Sequence, residues 1–276
     1  MKDIFKTLIL SLLSINSLQA QAPINLRIHY ETKYQDVYIE DKICKYKADE
    51  MILDITPTSS EFYSLWKRSY DASDKKIFDK GGTLADAIKA REQLPYPKSQ
   101  NSEIFYKGLP QKGMITVIEE SLANIKYSDK EVKIQWDIIP TDTLTIAGYH
   151  CNKAIGSTSG RKWIAWYAPD IPVPNGPRML GGLPGLILKA YDSQEHYIYV
   201  CSGIETEFSQ KENVQLLKKP LKTISHKEYN KIRKLFWEDT KTYMQLLGQY
   251  YDQGVGADGR PLKQIKRKSN FIELMP

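Results

Sequence analysis

Four histidines (His29, His150, His196, His226) and three cysteines (Cys44, Cys151, Cys201) are the residues most able to do nucleophilic, acid–base or metal chemistry in this chain. His150 and Cys151 adjoin, but neighbours on a strand point to opposite faces, which excludes a dyad. The cysteines are too scattered for zinc, which takes close ligand pairs, and no metal site is expected. The sequence contains neither a Gly-x-Ser-x-Gly elbow nor a His-Glu-x-x-His helix, so no catalytic residue is assigned. A hydrolase site assembled from distant positions stays open, because triads are recognised by geometry and not by order. Asp252 and Asp258 lie among glycines yet lack the ligand spacing of a calcium loop. Gly181, Gly182 and Gly185 do not make a phosphate cradle, since a strand-like run, Leu186-Ile187-Leu188, follows them in place of a helix.

Binding chemistry has better candidates. Trp163-Ile164-Ala165-Trp166-Tyr167-Ala168 is apolar on both alternating faces, which predicts a central strand covered on both sides. The same residues could instead line the aromatic wall of a ligand pocket. A proline-stiffened connection follows, Pro169 to Pro177, too rich in proline for an inner strand. Long connections of defined shape often carry function. The candidate binding surface is therefore Trp163, Trp166, Tyr167, Pro172, Pro174, Leu183 and Pro184. Gly182, Pro184 and Gly185 form the structural turn, with Gly185 expected at the positive φ of a type II turn.

The elements that must position these residues are mostly strands. Ile24, Leu26, Ile28 and Tyr30 alternate with polar residues, and Met51–Ile55 reads as a second strand. Thr83-Leu84-Ala85-Asp86 resembles a capping box, with Leu84, Ile88 and Arg91 on one side of a short helix. From Glu103 short strands are expected near 103–107, 113–120, 123–128, 131–138, 142–147, 148–156, 161–168, 186–191 and 196–205, with a break at Pro140-Thr141-Asp142. Ser225-His226-Lys227-Glu228 then caps a helix whose face, Tyr229, Ile232, Phe236, Tyr243, Leu247 and Tyr250, runs to about residue 251. In a simple meander Cys151 and Cys201 lie three strands apart, about 14 Å, too far to bridge, while Cys44 could reach either. The predicted fold class is mainly β: a curved antiparallel meander sheet or half-barrel covered by a C-terminal amphipathic helix.

Lys2 and Lys6, the apolar stretch Leu8–Ile15 and Leu18-Gln19-Ala20 have the form of a signal peptide over residues 1–20, removed before Gln21. The remaining chain, about 256 residues, is read as one β-rich domain over 21–252 with a basic, flexible tail over 253–276. No later segment is apolar enough to span a bilayer as a helix, so no transmembrane segment is expected after cleavage. The formal charge of +6 is mild and diffuse, which argues against nucleic acid as a partner. The 18 tyrosines suit half-buried strand faces.

Ile146-Ala147-Gly148-Tyr149-His150-Cys151-Asn152-Lys153-Ala154, Trp163–Pro172 and Gly176-Pro177, together with Gly182-Leu183-Pro184-Gly185-Leu186-Ile187, resemble the GLPGLI family, also known as Porph_ging. Asn270-Phe271-Ile272-Glu273-Leu274 resembles the Asn-Pro-Ile-Glu-Leu ending of many members, with Phe271 in place of proline. The resemblance is strong over about residues 132–205. It implies an exported protein of a Gram-negative bacterium, at the periplasm or cell surface, with a β-rich fold and no established activity. The reading leans to a non-enzymatic protein without cofactor, binding a lipid, a peptide or an outer-membrane protein beside Trp163–Leu188. An accessory subunit of an outer-membrane transport complex and an unrecognised hydrolase are the alternatives.

Overall fold

The computed structural model describes residues 23–97, 99, 101–121, 124–208, 212–248, 254 and 267–271. The expected leader, and Asp252 and Asp258, lie outside the described residues. Alternating apolar side chains make β1 (Leu26–Tyr34), in which Leu26, Ile28 and Tyr30 are buried. A small hairpin, β2 (Val37–Ile39) and β3 (Lys42–Ile43), leads into β4 (Lys47–Ile55) and β5 (Ser60–Ser64). The Ser64 hydroxyl accepts from the Lys67 amide and starts α1 (Leu65–Phe78), and Thr83 and Asp86 form the capping box of α2 (Leu84–Arg91). Then follow β6 (Glu103–Lys107), β7 (Met114–Glu119), β8 (Ile125–Lys130), β9 (Trp136–Ile146), β10 (Tyr149–Thr158), β11 (Arg161–Ala168), β12 (Leu186–Asp192), β13 (Tyr197–Glu205) and β14 (Lys222–Thr223). The described chain ends with α3 (His226–Glu238), α4 (Thr240–Leu246) and β15 (Arg267–Ser269).

The protein is mainly β, built on one large curved sheet that is not closed into a barrel. Its order is β14-β8-β7-β6-β5-β4-β1-β13-β12-β11-β10-β9, antiparallel except for β14 on β8. Two meanders, β4 to β8 and β9 to β13, lie side by side, and β1 joins them by pairing with both β4 and β13. A second small sheet has the order β15-β2-β3. The main core fills one face of the large sheet, with Tyr30, Phe62, Phe105, Tyr127, Trp163, Tyr167 and Tyr199 packed beneath Tyr229 of α3. A smaller cluster of Ile24, Tyr106, Ile118 and Val214 covers part of the opposite face.

Several expectations are corrected. The two strands expected over 131–138 and 142–147 are one strand, β9, which runs through Pro140. Its pairing to β10 shifts register between Asn152 and Lys153, and a bulge on an edge strand tolerates a residue without an N–H. The helix expected to reach 251 breaks at Asp239 (φ −141°, ψ 69°), whose carboxylate accepts from the Thr242 amide and starts α4. β11 is covered on one side only: Trp163, Ala165 and Tyr167 are buried, whereas Ile164 and Trp166 on the other face are half-buried. On α2 the expected apolar face points outward, with Leu84 61% and Ile88 47% exposed, and Ala87 is the buried residue. The cysteines follow expectation: β11 and β12 separate Cys151 on β10 from Cys201 on β13, and all three cysteines are free.

The Gly-Gly-Leu-Pro-Gly turn also differs from expectation. Gly182, at φ +85°, supplies the left-handed residue, and Gly185 does not. Gly185 is needed for space, because a Cβ there would lie 2.2 Å from the Ala168 carbonyl oxygen.

Candidate functional site

The residues that converge most closely are buried charged groups at one end of the main core. Arg161 opens β11 directly after Gly160 and pairs with Asp192 at the end of β12 at 2.7 Å, both side chains 2% exposed. The other oxygen of Asp192 accepts from the Tyr197 amide at 2.9 Å. The remaining donors of Arg161 hold a separate piece of chain. Its Nη2 donates to the Asn270 Oδ1 at 2.8 Å and to the Phe271 carbonyl at 2.6 Å, and its Nε donates to the same carbonyl at 3.1 Å.

Asn270 is bound on every polar atom. Its amide nitrogen donates to the Asp36 carbonyl at 2.8 Å, and the Tyr197 hydroxyl donates to its carbonyl at 2.6 Å. Its Nδ2 donates to the Gln35 carbonyl at 2.6 Å and lies 3.0 Å from His196 Nδ1. These partners fix the orientation of the amide: the oxygen faces a guanidinium and the nitrogen a carbonyl. With Nδ2 as the donor, His196 Nδ1 must be the acceptor, so the ring is neutral with its proton on Nε2. Burial and the charge of Arg161 lower the His196 pKa, against the opposing pull of Asp192.

The strand that delivers Asn270 is docked as well. Residues 267–269 of β15 pair antiparallel with β2, and Ser269 donates through its amide and hydroxyl to Glu238 at 2.9 and 2.5 Å. Phe271 is 8% exposed, and the Arg233 guanidinium lies 4.2 Å from its ring centroid. The pocket around Phe271 is lined by Tyr34, Tyr197, Arg233, Trp237 and Glu103, and about 60 Å³ of it is unfilled. That is room for roughly two waters at ~30 Å³ each.

Behind Phe271, Glu103 pairs with Arg178 at 2.8 Å and with Arg233 at 3.4 Å, and it accepts from the Tyr229 hydroxyl. Burial alone would raise its pKa, but Arg178 and Arg233 outweigh burial and hold it at about 2. Its cross-strand neighbour Glu119 accepts from Ser102 at 2.6 Å and from the Ser121 amide and hydroxyl at 2.8 and 2.7 Å. Burial, with Glu103 beside it, raises the Glu119 pKa. A second polar cluster serves the fold: buried Asp49, pushed up to about 6 by burial, accepts from Ser64 at 2.8 Å and Ser99 at 2.5 Å, and Ser64 caps α1.

The residues singled out in the sequence are not brought to one place. Trp163, Tyr167 and Leu183 belong to the core, Pro172, Pro174 and Pro184 are exposed, and Trp166 sits on the outer face. The Trp166 indole Nε1 has no hydrogen-bond partner among the described residues. Gly182 and Gly185 stand in a segment anchored from below by Lys107, whose buried ammonium donates to Asn175 Oδ1 (2.8 Å), the Gly176 carbonyl (3.1 Å) and the Leu180 carbonyl (2.6 Å). Burial pushes the Lys107 pKa down to about 7. His150 is exposed and Cys151 buried, on opposite faces of β10. Among the described residues no group of three or more His, Cys, Asp or Glu could hold a metal ion, and no helix is long and apolar enough to cross a membrane.

Arg161, Arg178, Arg233, Glu103 and Lys107 were not among the residues singled out from the sequence. Their partners lie far off in the chain, so nothing local marks any of them as a buried, paired charge, although Glu103 and Lys107 fall on the same strand face as Phe105.

Fold and site thus define an open curved sheet with a slot that receives an extended strand. A family model described as "Protein of unknown function (Porph_ging)" matches residues 157–189, the family to which the residue resemblance pointed. No curated protein matches the chain. Two solved structures of PNGF-II align with it: one, in space group P21, at 19% identity and a TM-score of 0.47 over 77% of this chain and 33% of that one. The other, in space group C2, aligns at 18% identity and a TM-score of 0.42 over 74% and 32%. The chain spans about a third of the PNGF-II chains it matches.

Proposed function

We propose that this protein is an exported, non-enzymatic binding protein of a Gram-negative cell envelope, and that its ligand is an extended peptide laid along β2 and over Arg161. The observation that carries the reading is the capture of residues 269–271, whose backbone and side-chain polar atoms meet donors and acceptors from β11, β13, α3 and the loop after β1. Adding a strand to a sheet edge while pockets take side chains is a recurrent mode of peptide recognition. A lipid chain suits the site poorly, because the pocket wall carries Glu103, Arg178 and Arg233 and leaves about 60 Å³ unfilled. Export is supported by the leader-like residues 1–20.

The test is panning of a random peptide library against the full chain, followed by calorimetry of enriched peptides and hydrogen exchange of the β2 amides. Saturable binding that keeps Val37–Ile39 protected while it exposes the Arg267–Ser269 amides of the displaced β15 is the expected result. Peptides that bind without touching β2, or a lipid recovered mole for mole with the protein, contradict it.

A second reading, the accessory subunit, draws on the outer face of β10–β13. Ile155, Ile164, Trp166, Tyr191, Ile198 and Val200 lie half-buried there, with Lys153 and Lys189 near the Trp166 and Tyr191 rings. Crosslinking in the native envelope from position 164 tests it: one recurrent outer-membrane partner supports a subunit role, and scattered products count against it.

A further inference from the structure

We infer that the slot selects peptides in which asparagine precedes an aromatic residue, and that residues 267–271 are its resident competitor; this rests on the peptide-binding reading above and narrows it to one ligand chemistry. The selectivity follows from the pattern around Asn270. One side-chain atom must accept from Arg161 while the other donates to the Gln35 carbonyl and to His196 Nδ1. Only a primary amide sets an acceptor oxygen beside a nitrogen with two donor hydrogens. Aspartate would set a second oxygen against the Gln35 carbonyl and leave His196 Nδ1 without its donor. Glutamine offers the same atoms one methylene further out. That register is closed to it, because the Asp36 carbonyl and the Tyr197 hydroxyl fix the backbone on both sides of the residue.

The following position is equally defined. The Phe271 carbonyl takes two Arg161 donors, and its ring lies against the Arg233 guanidinium, which a flat aromatic face satisfies and an aliphatic side chain does not. At the preceding position Glu238 accepts from both the amide and the hydroxyl of Ser269, so serine or threonine is favoured there. The Arg161–Asp192 pair is already desolvated and oriented, so a ligand meets a preorganised site.

The experiment uses the full chain carrying Asn270→Asp, which weakens the resident segment. A fluorescent peptide of residues 266–274, Lys-Arg-Lys-Ser-Asn-Phe-Ile-Glu-Leu, is titrated by anisotropy against the variant and the wild type. The expected result is saturable binding to the variant, at least tenfold tighter than to the wild type. Peptides with Asp for Asn, or Leu for Phe, should bind the variant at least tenfold more weakly. Equal binding of all three peptides overturns the selectivity and leaves the peptide-binding reading standing. Absence of binding by a variant that melts cooperatively overturns both. If the variant does not fold, a protease site placed between residues 255 and 266 of the full wild-type chain replaces it: after cleavage the labelled peptide should exchange with the resident fragment, and the Asp analogue should not. A cleaved protein that exchanges both, or neither, overturns the inference.

Discussion

Arg161 and Asn270, 109 positions apart, meet side chain to side chain at 2.8 Å, both of them buried. The contact joins the first residue of an inner strand to a segment that enters the fold from far along the chain. Its Asp192 partner keeps the guanidinium aligned, so the grip on Asn270 depends on an ion pair that never touches the captured segment.

Loss of the guanidinium should therefore be expensive. Arg161→Met leaves Asp192 buried without its cation and releases Asn270 and Phe271, and unfolding in urea should show a loss of about 3–5 kcal/mol. Adding Asp192→Asn removes the stranded charge while keeping an oxygen for the Tyr197 amide, so the double variant should regain part of the loss. A double variant no more stable than the single one contradicts this account of the pair.

The grip on the segment should weaken in acid. His196 must be neutral to accept from Asn270, and its pKa is lowered in the fold, so stability from this bond is present above the histidine range and lost as pH falls through the folded pKa. The groups facing the ring are Arg161, which opposes protonation, Asp192, which favours it, and the Tyr38 ring, edge-on at 6.3 Å. Hydrogen exchange of the Arg267–Ser269 amides, corrected for intrinsic rates, should accelerate between pH 7 and 5. In His196→Gln, whose side-chain oxygen can still accept, that acceleration should disappear.

Lys107 holds Asn175, Gly176 and Leu180, the stretch leading into the Gly-Gly-Leu-Pro-Gly turn, to β6. Lys107→Met takes the donor from the Gly176 and Leu180 carbonyls, while Asn175 Oδ1 keeps the Gly176 amide, and should cost about 2–4 kcal/mol in urea unfolding. The folded pKa, near 7, lies below the unfolded value, so the unfolded chain binds more protons between that pH and the ordinary lysine range. Stability should therefore rise with pH across that window in the wild type relative to Lys107→Met. Parallel pH profiles of the two proteins count against a depressed lysine.

The two turn glycines should respond unequally. Gly182→Ala meets open space and pays only for its positive φ, about 1 kcal/mol. Gly185→Ala drives a methyl into the Ala168 carbonyl and should cost several times more, or abolish folding. Equal effects in thermal melts contradict the assignment of Gly182 to conformation and Gly185 to space.

Much of the fold was legible from period and capping. The alternation of Leu26, Ile28 and Tyr30, the Thr83 capping box and the even spacing of strands after Glu103 each report local physics, and the structure follows them. The errors arise where tertiary position decides. Pro140 reads as a strand break unless its strand is known to lie at an edge. Asp239 carries its own capping signal toward Thr242, but the apolar spacing through Tyr243 obscured it. The Trp163 strand is apolar on both faces, yet only one face received a cover.

The site was largely illegible. Arg161, Arg178, Arg233 and Glu103 come from β11, the loop after it, α3 and β6, and one sequence does not separate a buried charge with partners from a solvated one. Asn270 and Phe271 drew notice only for resembling a family ending, and His196 only as one histidine of four. The motif that carries the family resemblance, Gly182 to Ile187, serves chain packing in this structure, with Ala168 and the Tyr30 hydroxyl among the groups it meets.

The most direct test of the central claim is photo-crosslinking of the full wild-type chain with a peptide of residues 267–274 that carries benzoylphenylalanine at the position of Phe271. The account predicts adducts on the residues around that pocket, Tyr34, Tyr197, Arg233 and Trp237, which excess unlabelled peptide suppresses. Adducts concentrated on the outer face, at Ile164, Trp166 or Tyr191, would contradict it.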